Sequence, residues 1–159
     1  WSDLDYLIID MPPGTGDIQL SLAQTVAVRG AVIVTTPQDI ALSDARKGIG
    51  MFNKVGVPVL GVVENMSMHT CSNCGHAEAI FGSGGGERLA QDYGVDVIGR
   101  LPLDIKIREQ TDLGVPVVAS TLHPQLQEAY AELARGVHAQ ALAHEARGAA
   151  APTISVEDD

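Results

Sequence analysis

Short apolar runs alternate along this chain with stretches that have helical spacing. Five runs have the length and composition of β-strands: Tyr6–Ile9, Ala31–Thr35, Val59–Val63, Val95–Gly99 and Val115–Ala119. They are rich in valine, isoleucine, leucine and alanine, which is typical of the strands of parallel sheets. The alternation predicts an α/β fold with a mostly parallel sheet flanked by helices.

Helix signals lie between these runs. Asp17 is a candidate N-cap for a first helix, and Ser43 is one for a second helix that continues through Phe52. Pro124 fits the first turn of a long final helix. Apolar residues at helical spacing mark one face of the first and last helices: Ile18, Leu22 and Val26, then Leu126, Tyr130, Leu133 and Val137.

The segment from Ser67 to Gly86 breaks this alternation. It is polar, holds both cysteines of the chain and ends in the run G-S-G-G-G, so we expect an irregular insertion between a strand and the next helix. From Gly148 onward, the alanine, proline and acidic residues predict a disordered tail. We therefore expect one domain over residues 1–147, with an insertion at 67–86 and an acidic tail over 148–159.

Composition narrows the classes of partner. The chain has 159 residues, 45% of them hydrophobic, which suffices for one domain with a real core. Its net charge of −10 argues against nucleic acid or an anionic membrane as a partner. There is no run of about 20 apolar residues, no signal peptide and no disulfide framework, so we expect a soluble cytoplasmic protein.

The segment L-I-I-D-M-P-P-G-T-G-D contains the first candidate chemistry. An apolar run that ends in Asp10 and continues into a proline- and glycine-rich turn is typical of a Walker-B aspartate beside a magnesium shell. Gly14 lies in that turn, where a backbone amide can respond to a terminal phosphate. Turn and cap roles explain Thr15 and Asp17 equally well. No G-x-x-x-x-G-K-[ST] phosphate loop occurs in the chain, so the sequence resembles the C-terminal part of a nucleotide-dependent protein.

Cys71 and Cys74 form a C-x-x-C motif inside the insertion. They can bind zinc with His69 or His76 as further ligands, or act as a redox pair. They can also supply half of a four-cysteine site that two chains share. The spacing alone leaves zinc and an iron–sulfur cluster equally open and makes redox chemistry less favoured.

Two polar positions follow predicted strands. Asn65 comes after the run Val59–Val63, and its amide can both donate to and accept from an adenine edge, although it can equally form a turn. The segment L-P-L-D, with Pro102 and Asp104, follows another strand and allows the same two interpretations.

In combination, these motifs resemble one family. The segments D-M-P-P-G-T-G-D, V-T-T-P-Q-D-I-A-L-S-D-A-R-K-G-I-G-M-F, G-V-V-E-N-M-S, C-S-N-C-G, I-F-G-S-G-G-G and L-P-L-D resemble the Mrp/ApbC family. Its members are iron–sulfur cluster carrier ATPases of the MinD/ParA-like group of P-loop proteins. The resemblance runs from Trp1 to about Leu133, and the C-x-x-C after V-E-N-M-S separates this family from MinD and ParA.

The resemblance implies a homodimer that binds ATP and magnesium. It implies a [4Fe–4S] cluster between the two C-x-x-C pairs, which the dimer passes to client apoproteins, and it implies ATP hydrolysis. By position, it makes Asp10 the Walker-B magnesium residue and Gly14 part of the switch segment. The further implied site residues are Asn65 as the adenine reader, Pro102 and Asp104 in the loop that flanks the base, and Cys71 and Cys74 as the cluster ligands.

This sequence departs from the family pattern at its start. The phosphate loop and the first strands of the sheet are absent, so we expect the chain alone to be inactive as an ATPase, to bind ATP weakly and to associate through an apolar sheet edge. Two other functions stay open. One is a MinD/ParA-like positioning ATPase that acts as a switch without metal, and the other is a zinc-stabilised nucleotide-binding module.

Overall fold

The computed structural model describes residues 2–12, 16–119 and 121–146, and helices and strands alternate along them. The strands are β1 (Ala31–Thr35), β2 (Val59–Glu64), β3 (His69–Thr70), β4 (Ala77–Glu78) and β5 (Val97–Arg100). The α-helices are α1 (Asp17–Thr25), α2 (Asp39–Lys54), α3 (Gly85–Tyr93), α4 (Ile105–Asp112) and α5 (Pro124–Ala146), with a 3₁₀ helix at Val117–Ala119 between the last two.

Three strands form a parallel sheet in the order β1-β2-β5. The central strand, β2, is buried at every position, because it is paired on both edges and contacted by helices. Parallel neighbours require crossover connections, which α2 supplies between β1 and β2, and α3 supplies between β2 and β5. The predicted α/β class is confirmed.

The main core lies between the sheet and helices α2 and α3. Leu42 on α2 and Leu89 on α3 are almost completely buried, and each such side chain contributes about 1.5–3 kcal/mol of burial free energy. The buried residues of this cluster are Ile33, Leu42, Ile49, Val59, Val62, Leu89 and Ala90.

Helix α5 approaches strand β5 very closely, because two glycines face the contact. A Cβ added at Gly136 would lie 2.9 Å from the carbonyl oxygen of Ile98, and one added at Gly99 would lie 2.8 Å from Leu133 Cδ1. Such distances leave no room for a side chain at either position. The predicted final helix and its start at Pro124 are confirmed.

The predicted strand at Tyr6–Ile9 is wrong, since these residues form no strand. A strand is stable only when its backbone pairs, and no described strand pairs with this segment. Its apolar side chains are consequently exposed, with Ile8 at 80% of its full accessibility. The outer edge of β1 likewise pairs with no strand among the described residues.

The predicted strand at Val115–Ala119 is also wrong. Pro116 has no N–H to donate to a sheet, and its carbonyl instead accepts from the N–H of Ala119 at 2.9 Å, which closes the 3₁₀ helix. Val117 is the buried residue of this turn.

Helix starts differ slightly from the prediction. Gly16 precedes α1 and Asp17 is its first residue, so Asp17 is not the N-cap. Helix α2 begins at Asp39 after Gln38, and Ser43 therefore lies in its second turn. Gly14, Thr15 and the predicted tail over 148–159 lie outside the described residues. Among the helices that are described, none has both the length and the apolar character to cross a bilayer.

Candidate functional site

The carboxyl ends of β1, β2 and β5 meet at one edge of the sheet, and Asn65 lies there directly after β2. The backbone N–H of Asn65 donates to the carbonyl of Thr35 at 2.7 Å. Its side-chain oxygen accepts from the N–H of Met66 at 2.9 Å, and Met66 has a positive φ of 55°. Within the described residues the amide nitrogen of Asn65 has no hydrogen-bond partner, so it is available to a ligand.

The loop Leu101–Asp104 follows β5 at the same edge. The N–H of Leu101 donates to the carbonyl of Glu64 at 3.0 Å, which places the loop beside the end of β2. Asp104 is the N-cap of α4, since its Oδ1 accepts from the N–H of Lys106 at 2.8 Å. Pro102 is half-buried next to it. The structure thus places Asn65 and the loop with Pro102 and Asp104 at the same edge of the sheet, and it shows a structural role for Asp104 as a helix cap.

The cysteines lie on the turn of a short antiparallel hairpin, in which β3 pairs with β4. The N–H of Cys71 donates to the carbonyl of His76, and the N–H of Gly75 donates to the carbonyl of Cys71, both at 2.9 Å. Gly75 has a φ of +72°, which a residue with a side chain rarely adopts. The predicted irregular insertion therefore contains an ordered knuckle around C-S-N-C-G.

The knuckle favours a thiolate at Cys71. The backbone N–H of Cys74, followed by that of Asn73, lowers the pKa of the Cys71 thiol below its ordinary value. Both cysteines are free thiols; Cys74 is exposed and Cys71 is half-buried. A site that presents two cysteine sulfurs on an open turn is suited to binding a soft metal or a cluster.

Backbone hydrogen bonds join the start of the insertion to the loop after β5. The N–H of Ser67 donates to the carbonyl of Leu101 at 3.0 Å, and the N–H of Leu103 donates to the carbonyl of Met68 at 2.9 Å. The ring nitrogen Nδ1 of His69 lies 3.0 Å from the carbonyl oxygen of Leu103. Residues 67–69 and 101–103 thus run side by side.

The end of the insertion is held at the same edge by Glu64 and two glycines. Glu64 is only 3% exposed, and its Oε2 accepts from the N–H of Gly86 at 2.6 Å. A Cβ at Gly85 would lie 2.7 Å from the carbonyl oxygen of Pro37, so the chain passes directly over the segment that follows β1. Glu64 is not among the residues that the motifs predict for the site, although a glutamate at the end of an otherwise apolar strand is a signal for a buried polar contact.

Asp10 is exposed and lies outside any strand, so the prediction that it ends a strand is wrong. Its segment contacts helices instead: Tyr6 OH hydrogen-bonds His138 of α5, and Gln19 of α1 donates to the carbonyl of Pro12 at 2.9 Å. No contact in the described residues joins Asp10 to the cysteines. In residues 2–12, 16–119 and 121–146, no three His, Cys, Asp or Glu side chains converge as a metal site.

Residues 1–138 match the sequence profile of the ParA family that describes the NUBPL iron-transfer P-loop NTPases. The chain belongs to this family. The resemblance to Mrp/ApbC carriers that the motifs indicate is confirmed, because the match covers most of the chain and includes the cysteine turn and the loops after β2 and β5.

Curated relatives within these iron-transfer P-loop NTPases are similar over most of the chain. An iron–sulfur cluster carrier protein of Pseudomonas fragi is 65% identical over 134 residues, which is 84% of this chain and 47% of the relative. The iron–sulfur cluster transfer protein NUBPL of Mus musculus is 54% identical over 137 residues, or 86% of this chain and 43% of the relative. The chain therefore spans less than half the length of the curated relatives it matches here.

Solved structures of P-loop proteins have the same fold. A nucleotide-binding protein from Archaeoglobus fulgidus, in complex with ADP, superimposes with a TM-score of 0.62 at 43% identity, covering 70% of this chain and 46% of that one. MinD from Aquifex aeolicus superimposes with a TM-score of 0.64 over 99% of this chain and 58% of its own; at 20% identity, this likeness concerns the fold alone.

Proposed function

We propose that this chain is the cluster-holding part of an ATP-dependent iron–sulfur cluster carrier. Two copies hold one [4Fe–4S] cluster between their C-x-x-C turns and pass it to client apoproteins. The observation that carries the proposal is the Cys71–Cys74 knuckle, which presents two free thiols on an open turn and whose backbone N–H groups lower the pKa of the Cys71 thiol. Relatives named as cluster carriers and as a cluster transfer protein support it.

The ligand count favours a site that two chains share. A four-cysteine site needs four thiolates, and each chain supplies two. Zinc bound within one chain would need further ligands near the knuckle, but the described residues supply no such group, and the Nδ1 of His69 faces the carbonyl of Leu103. A two-fold axis through the cluster completes the set.

Exposed apolar side chains near the knuckle fit the same arrangement. Met66, Met68 and Ile80 lie in the segment that carries the cysteines, and their side chains are between 36% and 51% exposed. Methionine is common at adaptable protein contacts, and clustered apolar exposure marks interaction surfaces. A second copy that covers these residues would bury the turn that holds the cluster.

The same sheet edge fits the base of an adenine nucleotide. Asn65 has an amide nitrogen available to a ligand, and the loop Pro102–Asp104 follows β5 at the same edge of the sheet. Asn65 would donate to and accept from the base edge, while Pro102 packs beside it. The A. fulgidus relative that binds ADP supports this assignment. When bound, the nucleotide would supply the energy of phosphate-bond hydrolysis.

The described residues do not build a magnesium site. Asp10 has an exposed carboxylate, which is a group that can coordinate Mg²⁺. Among the described residues, however, no further His, Cys, Asp or Glu side chains converge with it to form a metal site. Asp10 therefore stays a proposed magnesium ligand, and Gly14 stays a proposed phosphate sensor, for a site that also contains a phosphate loop.

Anaerobic reconstitution with iron and sulfide tests the carrier proposal. We expect one [4Fe–4S] cluster per two chains. The reconstituted protein should show a broad absorbance band in the visible range and should elute as a dimer on size-exclusion chromatography. Metal analysis and sulfide assay give the stoichiometry. Tight zinc at one ion per chain that is lost in His76→Ala but kept in Cys74→Ala would overturn the proposal, as would a chain that holds no iron.

Saturation-transfer NMR with ADP tests the nucleotide edge and detects weak binding. We expect transfer to the adenine protons in the parent and its loss in Asn65→Ala, because the amide that recognises the base is removed. Asn53→Ala, which changes an exposed asparagine at the end of α2, is the matched control and should behave as the parent. Equal transfer in Asn65→Ala and the parent would show that the base lies elsewhere.

A further inference from the structure

One side chain of the cysteine hairpin reaches across to the loop after β5. Nδ1 of His69 lies 3.0 Å from the carbonyl oxygen of Leu103, and the backbones of these two residues also form a parallel bridge. His69 is two positions before Cys71, and Leu103 lies between Pro102 and Asp104. Besides the hydrogen bonds of Ser67 and Met68 to this loop, the ring of His69 thus joins the cysteine hairpin itself to the loop after β5.

The direction of this hydrogen bond is set by chemistry. A carbonyl oxygen can only accept, so Nδ1 of His69 carries the proton and donates. Nδ1 is therefore not available as a metal ligand in this conformation. Within residues 69–78, all of which are described, no other side chain makes a hydrogen bond to residues 101–104.

The backbone alone holds the hairpin only weakly. Strands β3 and β4 have two residues each, and an isolated two-stranded hairpin is marginally stable in water. No residue of the hairpin from His69 to Glu78 is buried, so packing in a core adds nothing. The hydrogen bond from the ring of His69 therefore adds a side-chain restraint to the few backbone hydrogen bonds that hold the hairpin.

We propose that His69 is a positioning residue that holds the cysteine hairpin in register with the loop Pro102–Asp104, through the hydrogen bond from its ring to Leu103. Displacement of that loop then moves the turn that presents Cys71 and Cys74. The role in cluster binding rests on the function proposed above, whereas the role in holding the hairpin does not.

Amide hydrogen exchange of His69 variants tests the positioning role. In His69→Ala we expect exchange to accelerate about fivefold in residues 69–78 and at Leu103, the factor that corresponds to the net loss of one hydrogen bond. His69→Asn should restore most of the protection, because its amide nitrogen can replace Nδ1 as the donor. Amides of the buried strand β2 should not change and report an intact fold.

His76→Ala is the matched control, since His76 lies in the same hairpin and its ring makes no hydrogen bond within the described residues. Its exchange should equal that of the parent. Equal exchange in His69→Ala and the parent, or no rescue by His69→Asn, would overturn the inference.

A second measurement connects the restraint to the cluster. After reconstitution, iron should pass to a chelator several-fold faster from His69→Ala than from the parent, and at close to the parent's rate from His69→Asn. Iron loss at the parent's rate from His69→Ala would overturn the role in cluster binding. A parent that holds no iron would overturn the proposed function instead, and hydrogen exchange would still decide the positioning role.

Discussion

Replacing Cys74 by alanine is expected to abolish cluster binding. Each chain would then offer one thiolate, and two chains would supply two of the four that a [4Fe–4S] cluster requires. The reconstituted Cys74→Ala protein should lose nearly all bound iron and sulfide, together with the dimer that the cluster bridges. Metal analysis and analytical ultracentrifugation under anaerobic conditions measure both quantities.

Ser72→Ala is the matched control for this variant, because it changes the same turn and leaves both thiols in place. It should bind as much iron as the parent. Retention of more than half of the parent's iron by Cys74→Ala would contradict the assignment of this thiol as a ligand. A dimer that persists without iron would show that protein contacts alone hold the two copies together.

Two glycine-to-alanine changes, both within helices, should shift the free energy of unfolding in opposite directions. At Gly136 the added Cβ would lie 2.9 Å from the backbone oxygen of Ile98, so α5 must move away from β5. We expect Gly136→Ala to destabilise the fold by about 1–3 kcal/mol, which is the usual cost of overpacking. Gly48 of α2 has nothing within 4 Å of such a Cβ, and Gly48→Ala should stabilise by about 0.5–1 kcal/mol through helix propensity.

Urea denaturation of both variants and the parent measures this difference. Both substitutions gain the same helix propensity, so this gain cancels when their free energies of unfolding are subtracted. The remaining difference measures the cost of the added Cβ at the contact of α5 with β5. Equal stability of Gly136→Ala and Gly48→Ala would mean that α5 does not approach β5 as closely as described.

The central elements of the fold were predictable because their burial follows from local composition. Strands β1 and β2 are runs of aliphatic residues that are covered by helices, and such runs are recognisable in isolation. The run Tyr6–Ile9 has the same composition but pairs with no described strand, and composition alone does not show whether a strand is paired. At Val115–Ala119 the apolar run favours a strand and Pro116 disfavours one, and the structure has a 3₁₀ helix there.

The candidate site was only partly predictable. The spacing of Cys71 and Cys74 indicates a binding turn, and Asn65 follows a strand that was recognised. The hydrogen bonds that hold this turn join Ser67 and His69 to residues 34 positions away. The residue pattern within the insertion does not predict contacts at that separation. The position of the hairpin against the loop after β5 is therefore seen only in the structure.

The segment from Asn65 to Gly84 contributes no buried side chain, and all twenty of these positions are described. Its two ends are nevertheless fixed to neighbouring strand ends, through Ser67 at the start and Gly86 just beyond the end. The packing of the core and the shape of the cysteine hairpin therefore place separate constraints on the sequence. A change in the length of the hairpin would remove no buried side chain, whereas a change at Glu64 would affect both a buried strand end and the attachment of the segment to it.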